Sequence, residues 1–159
     1  MSISLSVPGT YALLLSTDKD LTFQVGALGL QSFNSGYYIY VGSAHGPGGL
    51  KARLKHHIRF SENPHWHIDY LRNHTKFLGV WVTRSHDNLE HIWAESFHKL
   101  TVPNNSIKGF GCSDCKCISH LYFHKSRLIS SKVFSALRIG DQPEYFSIHQ
   151  LMLIVGMVT

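Results

Sequence analysis

The sequence predicts an α/β fold of the α+β type: a small mixed or antiparallel central sheet flanked by helices, with an extra hairpin strand near the N-terminus. Three observations predict it. Runs rich in β-branched and aromatic residues, separated by glycine and polar turns, fill the chain up to Gly42. Segments with apolar residues at helical spacing follow, at Leu50–Arg59 and Asn88–Leu100. Between them lies Lys76–Thr83, KFLGVWVT, which alternates as a strand does. The chain has 159 residues, 43% of them apolar, enough for one domain with a real core. Only 16% are charged, too few for extensive disorder. We divide it into a domain over residues 1–125 and a C-terminal extension over 126–159, packed on that domain or on a partner.

Taken in order, Pro8 ends a leader expected to be disordered. Gly9–Ser16, GTYALLLS, reads as a buried strand, Thr17–Asp20 as a polar turn and Leu21–Val25 as the hairpin partner of the first strand. Gly26–Gly29 makes a second turn. The strand Gly36–Gly42 then places Tyr38 and Tyr40 on one face and Tyr37, Ile39 and Val41 on the other. The turn Gly42–Gly49 holds four glycines and a proline, which lets the backbone bend sharply and approach a ligand. In the helix that follows, Leu50, Leu54 and Ile58 form an apolar stripe. Lys51, Lys55 and Arg59 lie to one side of it, and Arg53 and His57 stack on the other. The segment has no acid, so a basic helix after a glycine turn points to a phosphate-bearing partner, the alternative being a solvated surface helix.

His65–Asn73, HWHIDYLRN, reads as a short helix entered at Pro64, with Trp66, Tyr70 and Leu71 inward. His65, His67 and Asp69 invite a metal; the alternative is that His67 and Asp69 hold a loop by hydrogen bonds. Asp87 with Glu90 has the spacing of a capping box, and Leu89, Trp93, Phe97 and Leu100 set the buried side of the next helix. Glu90 sits at the margin of that side and Glu95 points to solvent. Cys112, Cys115, Cys117 and His120 fall within nine residues. They are a second candidate metal site, for zinc, although structural zinc sites draw ligand pairs from separated knuckles and four so close are crowded. The other reading is a tight turn over the active site capped by Asp114. Ser119–Phe123 reads as an edge strand and Ser130–Arg138 as a helix. Gly140–Pro143 breaks the chain, and Tyr145–Val158 ends it apolar and uncharged.

Charge and cysteine usage exclude several classes. Net charge is +5 with the 12 histidines neutral, which suits an anionic partner such as nucleic acid. Three clustered cysteines are not a secreted disulfide framework. The N-terminus has no basic leader followed by an apolar core, and no apolar run is long enough to cross a bilayer. The expectation is a cytoplasmic protein with no membrane partner.

The ordered set of motifs resembles a known superfamily. Gly9-Thr10-Tyr11 followed by Tyr40-Val41-Gly42 is similar to the paired tripeptides of the GIY-YIG nucleases, with Thr10 and Val41 where the name motif has isoleucine. More specifically, GTYAL at Gly9, YYIYVGSA at Tyr37, WHIDYL at Trp66 and GFGCSDCKC at Gly109 resemble a branch catalogued as a domain of unknown function, over roughly Val7 to His124. The longer gap between Tyr11 and Tyr40 holds the extra hairpin.

That resemblance implies a metal-dependent endonuclease acting on DNA. Arg53 would be the helix arginine that forks onto the phosphate, and Glu90 the glutamate that holds Mg²⁺ or Mn²⁺. Tyr11 would act as general base if its pKa is lowered, or orient the attacking water, with Tyr40 on the phosphate and His57 the alternative base. Gly42, Ser43, Lys51, Lys55 and Arg59 would contact the nucleic acid. Two other functions remain open: a nucleic-acid-binding module of the same fold without catalysis, and a Cys/His metal-binding module.

Overall fold

The computed structural model describes residues 2–101, 107–113, 115–128, 130–137 and 143–157. The expected cap at Asp114, the helix end at Arg138 and the start of the chain break at Gly140 lie outside them. Strand β1 (Thr10–Thr17) is the centre of the sheet. It pairs antiparallel with β4 (Gly36–Ser43) on one side and with β5 (Lys76–Thr83) on the other. The edge strands are β6 (Leu121–His124), on β4, and β7 (Glu144–Ser147), on β5, giving the order β6-β4-β1-β5-β7. Every pairing is antiparallel, which settles the choice between a mixed and an antiparallel sheet.

Both faces of this sheet are covered, which is why β1 carries the unbroken apolar run ALLL rather than an alternation. On one face Tyr11, Leu13 and Leu15 of β1 join Tyr38 and Tyr40 of β4, Leu50 and Leu54 of α1 (Gly49–Ile58), Ile68 and Leu71 of α2 (His67–Arg72), and Leu151 and Val155 of α5 (Ile148–Val155). On the other, Ala12, Leu14, Ile39, Val41 and Trp81 pack against Trp93 and Phe97 of α3 (Glu90–Leu100) and Val133 of α4 (Ser130–Ala136). The predicted division of β4, with Tyr38 and Tyr40 opposite Ile39 and Val41, is therefore the division between two cores. Among the described residues no helix is long and apolar enough to cross a membrane.

Three local expectations are corrected. The segment after β1 does not form its hairpin partner: β2 (Leu21–Gln24) pairs with β3 (Leu30–Phe33) in a separate two-stranded ribbon, because both sides of β1 are already taken. The leader is not disordered. Leu5 is buried, and the carbonyls of Val7 and Leu5 accept the N–H groups of Leu50 and Lys51 at 2.9 and 2.7 Å. Those are among the donors at the start of α1 that lack a partner within the helix, so the leader supplies their partners and these two amides are not left free for a phosphate. Finally, Asp87 does not cap α3. Its N–H donates to Ser85 Oγ, whereas Asn88 Oδ1 accepts the N–H of Glu90 and Thr10 Oγ1 accepts that of Leu89.

Gly42 stands directly opposite Tyr11 in the β1–β4 register. A Cβ there would collide with Cζ and Oη of the tyrosine, so the missing side chain is what lets the ring lie across β4. Gly42→Ala is expected to destabilise the fold by about 1–3 kcal/mol, the usual cost of overpacking. Denaturant unfolding measures it, and an unchanged midpoint would show that the ring is not wedged there.

Candidate active site

At one end of the sheet, the start of β1, the end of β4, the middle of α1 and the first turn of α3 surround a cavity of about 190 Å³. Tyr11, Tyr40, Gly42, Ser43, Arg53, His57 and Glu90 all line it, together with Trp66, Ile68 and Gly111. Every residue to which the resemblance assigned a catalytic role thus lines this one cavity, along with Gly42 and Ser43. The other three basic residues are not. Lys55 and Arg59 line a separate groove beside Phe60 and Ser61, and Lys51 lines neither cavity.

Tyr11 and His57 form the buried heart of the site, with Oη and Nε2 2.7 Å apart. Burial, and then the neighbouring Tyr40 hydroxyl, raise the Tyr11 phenol well above its ordinary value, and the opposing pull of Arg53 does not reverse this. The condition set for Tyr11 as a base, a lowered pKa, is not met by these groups. His57 goes the other way. Burial, helped by His56, Arg53 and Arg72 and opposed by Asp69, lowers it to about 3, so it is a neutral imidazole at pH 7. Its Nδ1 is buried with no partner, so no hydrogen bond fixes the tautomer and Nε2 can serve the phenol as acceptor or donor.

The WHIDYL segment lends Trp66 and Ile68 to the cavity wall, and its polar side chains His67 and Asp69 are engaged in hydrogen bonds. Asp69 is buried and accepts from the N–H groups of His65 and Trp66, both at 3.0 Å, and lies 2.7 Å from His56 Nε2. Burial would raise this carboxyl, but the His65 N–H, the His56 ring and the Trp66 N–H together hold it below its usual range. His67 Nδ1 accepts the N–H of Gly111 at 2.9 Å. His67 and Asp69 therefore hold separate backbone segments by hydrogen bonds, as the loop-holding alternative expected, and the three side chains of His65, His67 and Asp69 do not converge as one ligand set. Gly111 has φ +71, and a Cβ there would sit 3.2 Å from Tyr40 Cε2, so the loop packs its backbone against that ring. Trp66, expected to point inward, is 40% exposed. Arg53 lies over its face with Cζ 4.3 Å from the ring centre, a cation–π contact worth about 0.5–1 kcal/mol that orients the guanidinium.

The acidic and sulfur-bearing side chains meet next door. Glu90 lines the cavity and its Oε1 is 3.1 Å from His120 Nδ1. The ring atoms of His91 and His120 and the thiols of Cys115 and Cys117 all offer ligand atoms within 4.8 Å of one another. Cys112 stands outside this group, its thiol donating to the Phe110 carbonyl at 3.3 Å, so the predicted set of Cys112, Cys115, Cys117 and His120 is not the one that converges. Sequence reasoning missed His91 because it lies 24 residues before Cys115 on a different element; its one signal was adjacency to Glu90. It also missed Thr10, whose hydroxyl anchors the start of α3 and so positions Glu90.

A family model described as "Domain of unknown function DUF123" matches residues 10–139. No curated protein matches the chain, and no solved structure does.

Stability should record the buried neutral His57. Its pKa is about 3 in the folded chain and 6.5 ordinarily, so between those values the unfolded state binds the extra proton. This contribution is complete above pH 6.5 and is lost as the pH falls toward 3. The melting temperature is expected to drop across that window less steeply in His57→Phe than in wild type. Parallel curves would contradict a neutral buried imidazole.

Proposed function

The chain belongs to the DUF123 family, a domain of unknown function, and from that premise we propose that it is a metal-dependent endonuclease of the GIY-YIG type that hydrolyses phosphodiester bonds in DNA. One observation carries the reading. Arg53 reaches the cavity beside Tyr11, Tyr40 and His57, and among the described residues its guanidinium has no carboxylate partner. The two nearby acids that could have neutralised it are engaged otherwise, Asp69 by His56 and Glu90 by His120. A cation held over an aromatic ring at the mouth of a buried polar cavity, with no internal counter-ion, suits an external anion. A phosphodiester matches the guanidinium fork.

The residues present fit a divalent ion of the Mg²⁺ kind. Among the described residues Glu90 is the one carboxylate lining the cavity, and Mg²⁺ is commonly held by one or two carboxylates while keeping most of its water. Glu90 would hold it, and the ion would neutralise charge growing on the leaving oxygen. The remaining work falls to the chain's own groups. Arg53 binds and orients the phosphate oxygens. Tyr40 donates from its hydroxyl to the same group. As water attacks phosphorus, its proton passes to the Tyr11 oxygen while the Tyr11 proton moves to His57 Nε2. The phenol then never has to carry a free negative charge, which its raised pKa disfavours. Burial disfavours the imidazolium in the same way, so that ion would form only against the negative charge of the phosphate, and it returns its proton to solvent once the bond has broken. The bond to the leaving oxygen breaks and that oxygen takes a proton from solvent.

The test is cleavage of labelled single-stranded, duplex, flap and branched DNAs with Mg²⁺, Mn²⁺ or EDTA. Metal-dependent cutting is expected, reduced about 10²-fold or more in Arg53→Ala, as for loss of one preorganised charge donor. Glu90→Gln is expected to bind but not cut. Salt-sensitive binding with no cutting of any substrate would point instead to a binding module that has kept the fold alone.

A further inference from the structure

We propose that His91, Cys115, Cys117 and His120 form a structural zinc site that ties the start of α3 to the loop before β6. The geometry carries it. His91 Nδ1 is 3.0 Å from Cys117 Sγ, and Cys115 Sγ is 3.3 Å from His120 Nε2. All four donor atoms lie within 4.8 Å of one another. A tetrahedral zinc with bonds of about 2.3 Å to sulfur and about 2.0 Å to nitrogen sets its ligands about 3.3–3.8 Å apart, so small movements close the cage. Two thiolates and two imidazoles are a donor set that favours zinc over the hard oxygen-seeking cations.

His91 answers the objection that ligands within one short loop are crowded. It comes from α3, a separate element, so the site has two anchors as structural zinc sites do. Four protein ligands leave no open position, which makes the site structural rather than catalytic. The outer shell is already in place. His120 is buried, and its Nδ1 is 3.1 Å from Glu90 Oε1 and 3.3 Å from the Val41 carbonyl, which turns Nε2 toward Cys115. This is the carboxylate–histidine arrangement that fixes the tautomer of a metal-bound imidazole. On binding, both cysteines give up their protons to solvent and ligate as thiolates. The ion would thereby hold His91 and, through His120, the neighbouring Glu90.

Metal content tests this independently of any nuclease activity. Untagged protein purified without chelator is expected to carry about one zinc per chain. Arg53→Ala should keep it, Cys112→Ser should keep it, and His91→Ala and Cys115→Ser should each lose it. Should those last two fail to fold, cobalt substitution of the wild type decides: intense visible bands of a tetrahedral ion with charge transfer from two thiolates are expected. Wild-type protein without zinc that gives no tetrahedral cobalt spectrum overturns the proposal. So does zinc that survives His91→Ala but is lost in Cys112→Ser, or a cobalt spectrum showing three thiolates.

Discussion

The packing of the Tyr11 ring across the bare backbone of Gly42 sets the geometry of everything around it. Because no Cβ intervenes, the phenol passes over β4 and meets His57 on α1, 2.7 Å away. That contact joins the central strand to the basic helix through the middle of a core. It also fixes how far α1 stands from the sheet, and hence where Arg53, one turn before His57, emerges. The leader completes the clamp by accepting the first amides of α1.

Charge is then distributed by burial. The interior beside α1 holds His57 neutral and keeps Tyr11 protonated, since neither charged form is solvated there. Asp69 keeps its charge because three donors surround it. With Asp69 spent on α2 and its entry, Arg53 projects past it onto Trp66. The site is thus a basic group over a neutral hydrogen-bonded pair, and among the described residues one carboxylate, Glu90, enters it from the opposite layer of the fold. Glu90 comes from α3, which covers the other face of the sheet, and reaches the cavity because α3 begins at the sheet's end, anchored by Thr10.

Glu90 belongs to two neighbourhoods at once. It lines the tyrosine cavity and it orients His120. Burial would lower the His120 imidazole, but Glu90 and the Cys115 thiol outweigh it and raise it. A single carboxylate therefore joins the proposed chemistry to the sulfur-rich loop, and that loop in turn packs Gly111 against Tyr40. Changes in the loop should be felt in the cavity without any shared ligand.

What the sequence determined by itself was whatever rests on periodicity and local order. The run ALLL marked the strand buried on both faces. The alternation of Tyr38 to Val41 separated the two cores, and the stripe of Leu50, Leu54 and Ile58 gave the buried side of α1. Tyr11, Tyr40, Arg53, His57 and Glu90 were picked out by the resemblance of the motif order to a known pattern, not by periodicity, and the fold brings all five to one cavity. Tertiary structure alone decided the partners. Neighbouring segments suggested a β1–β2 hairpin, but β1 had both edges filled by β4 and β5, strands more distant in sequence. Spacing suggested Asp87 as the cap of α3 with Glu90 as its capping-box partner, but the side chains of Thr10 and Asn88 accept the N–H groups of Leu89 and Glu90 instead. His91 joined Cys115, Cys117 and His120 only once α3 folded over the sheet. The shift of His57 to a neutral buried imidazole likewise came from its surroundings. The physical reason is common to all four: pattern encodes which face of an element is buried, whereas competition among non-local partners and the solvation of each group exist only after the elements have packed.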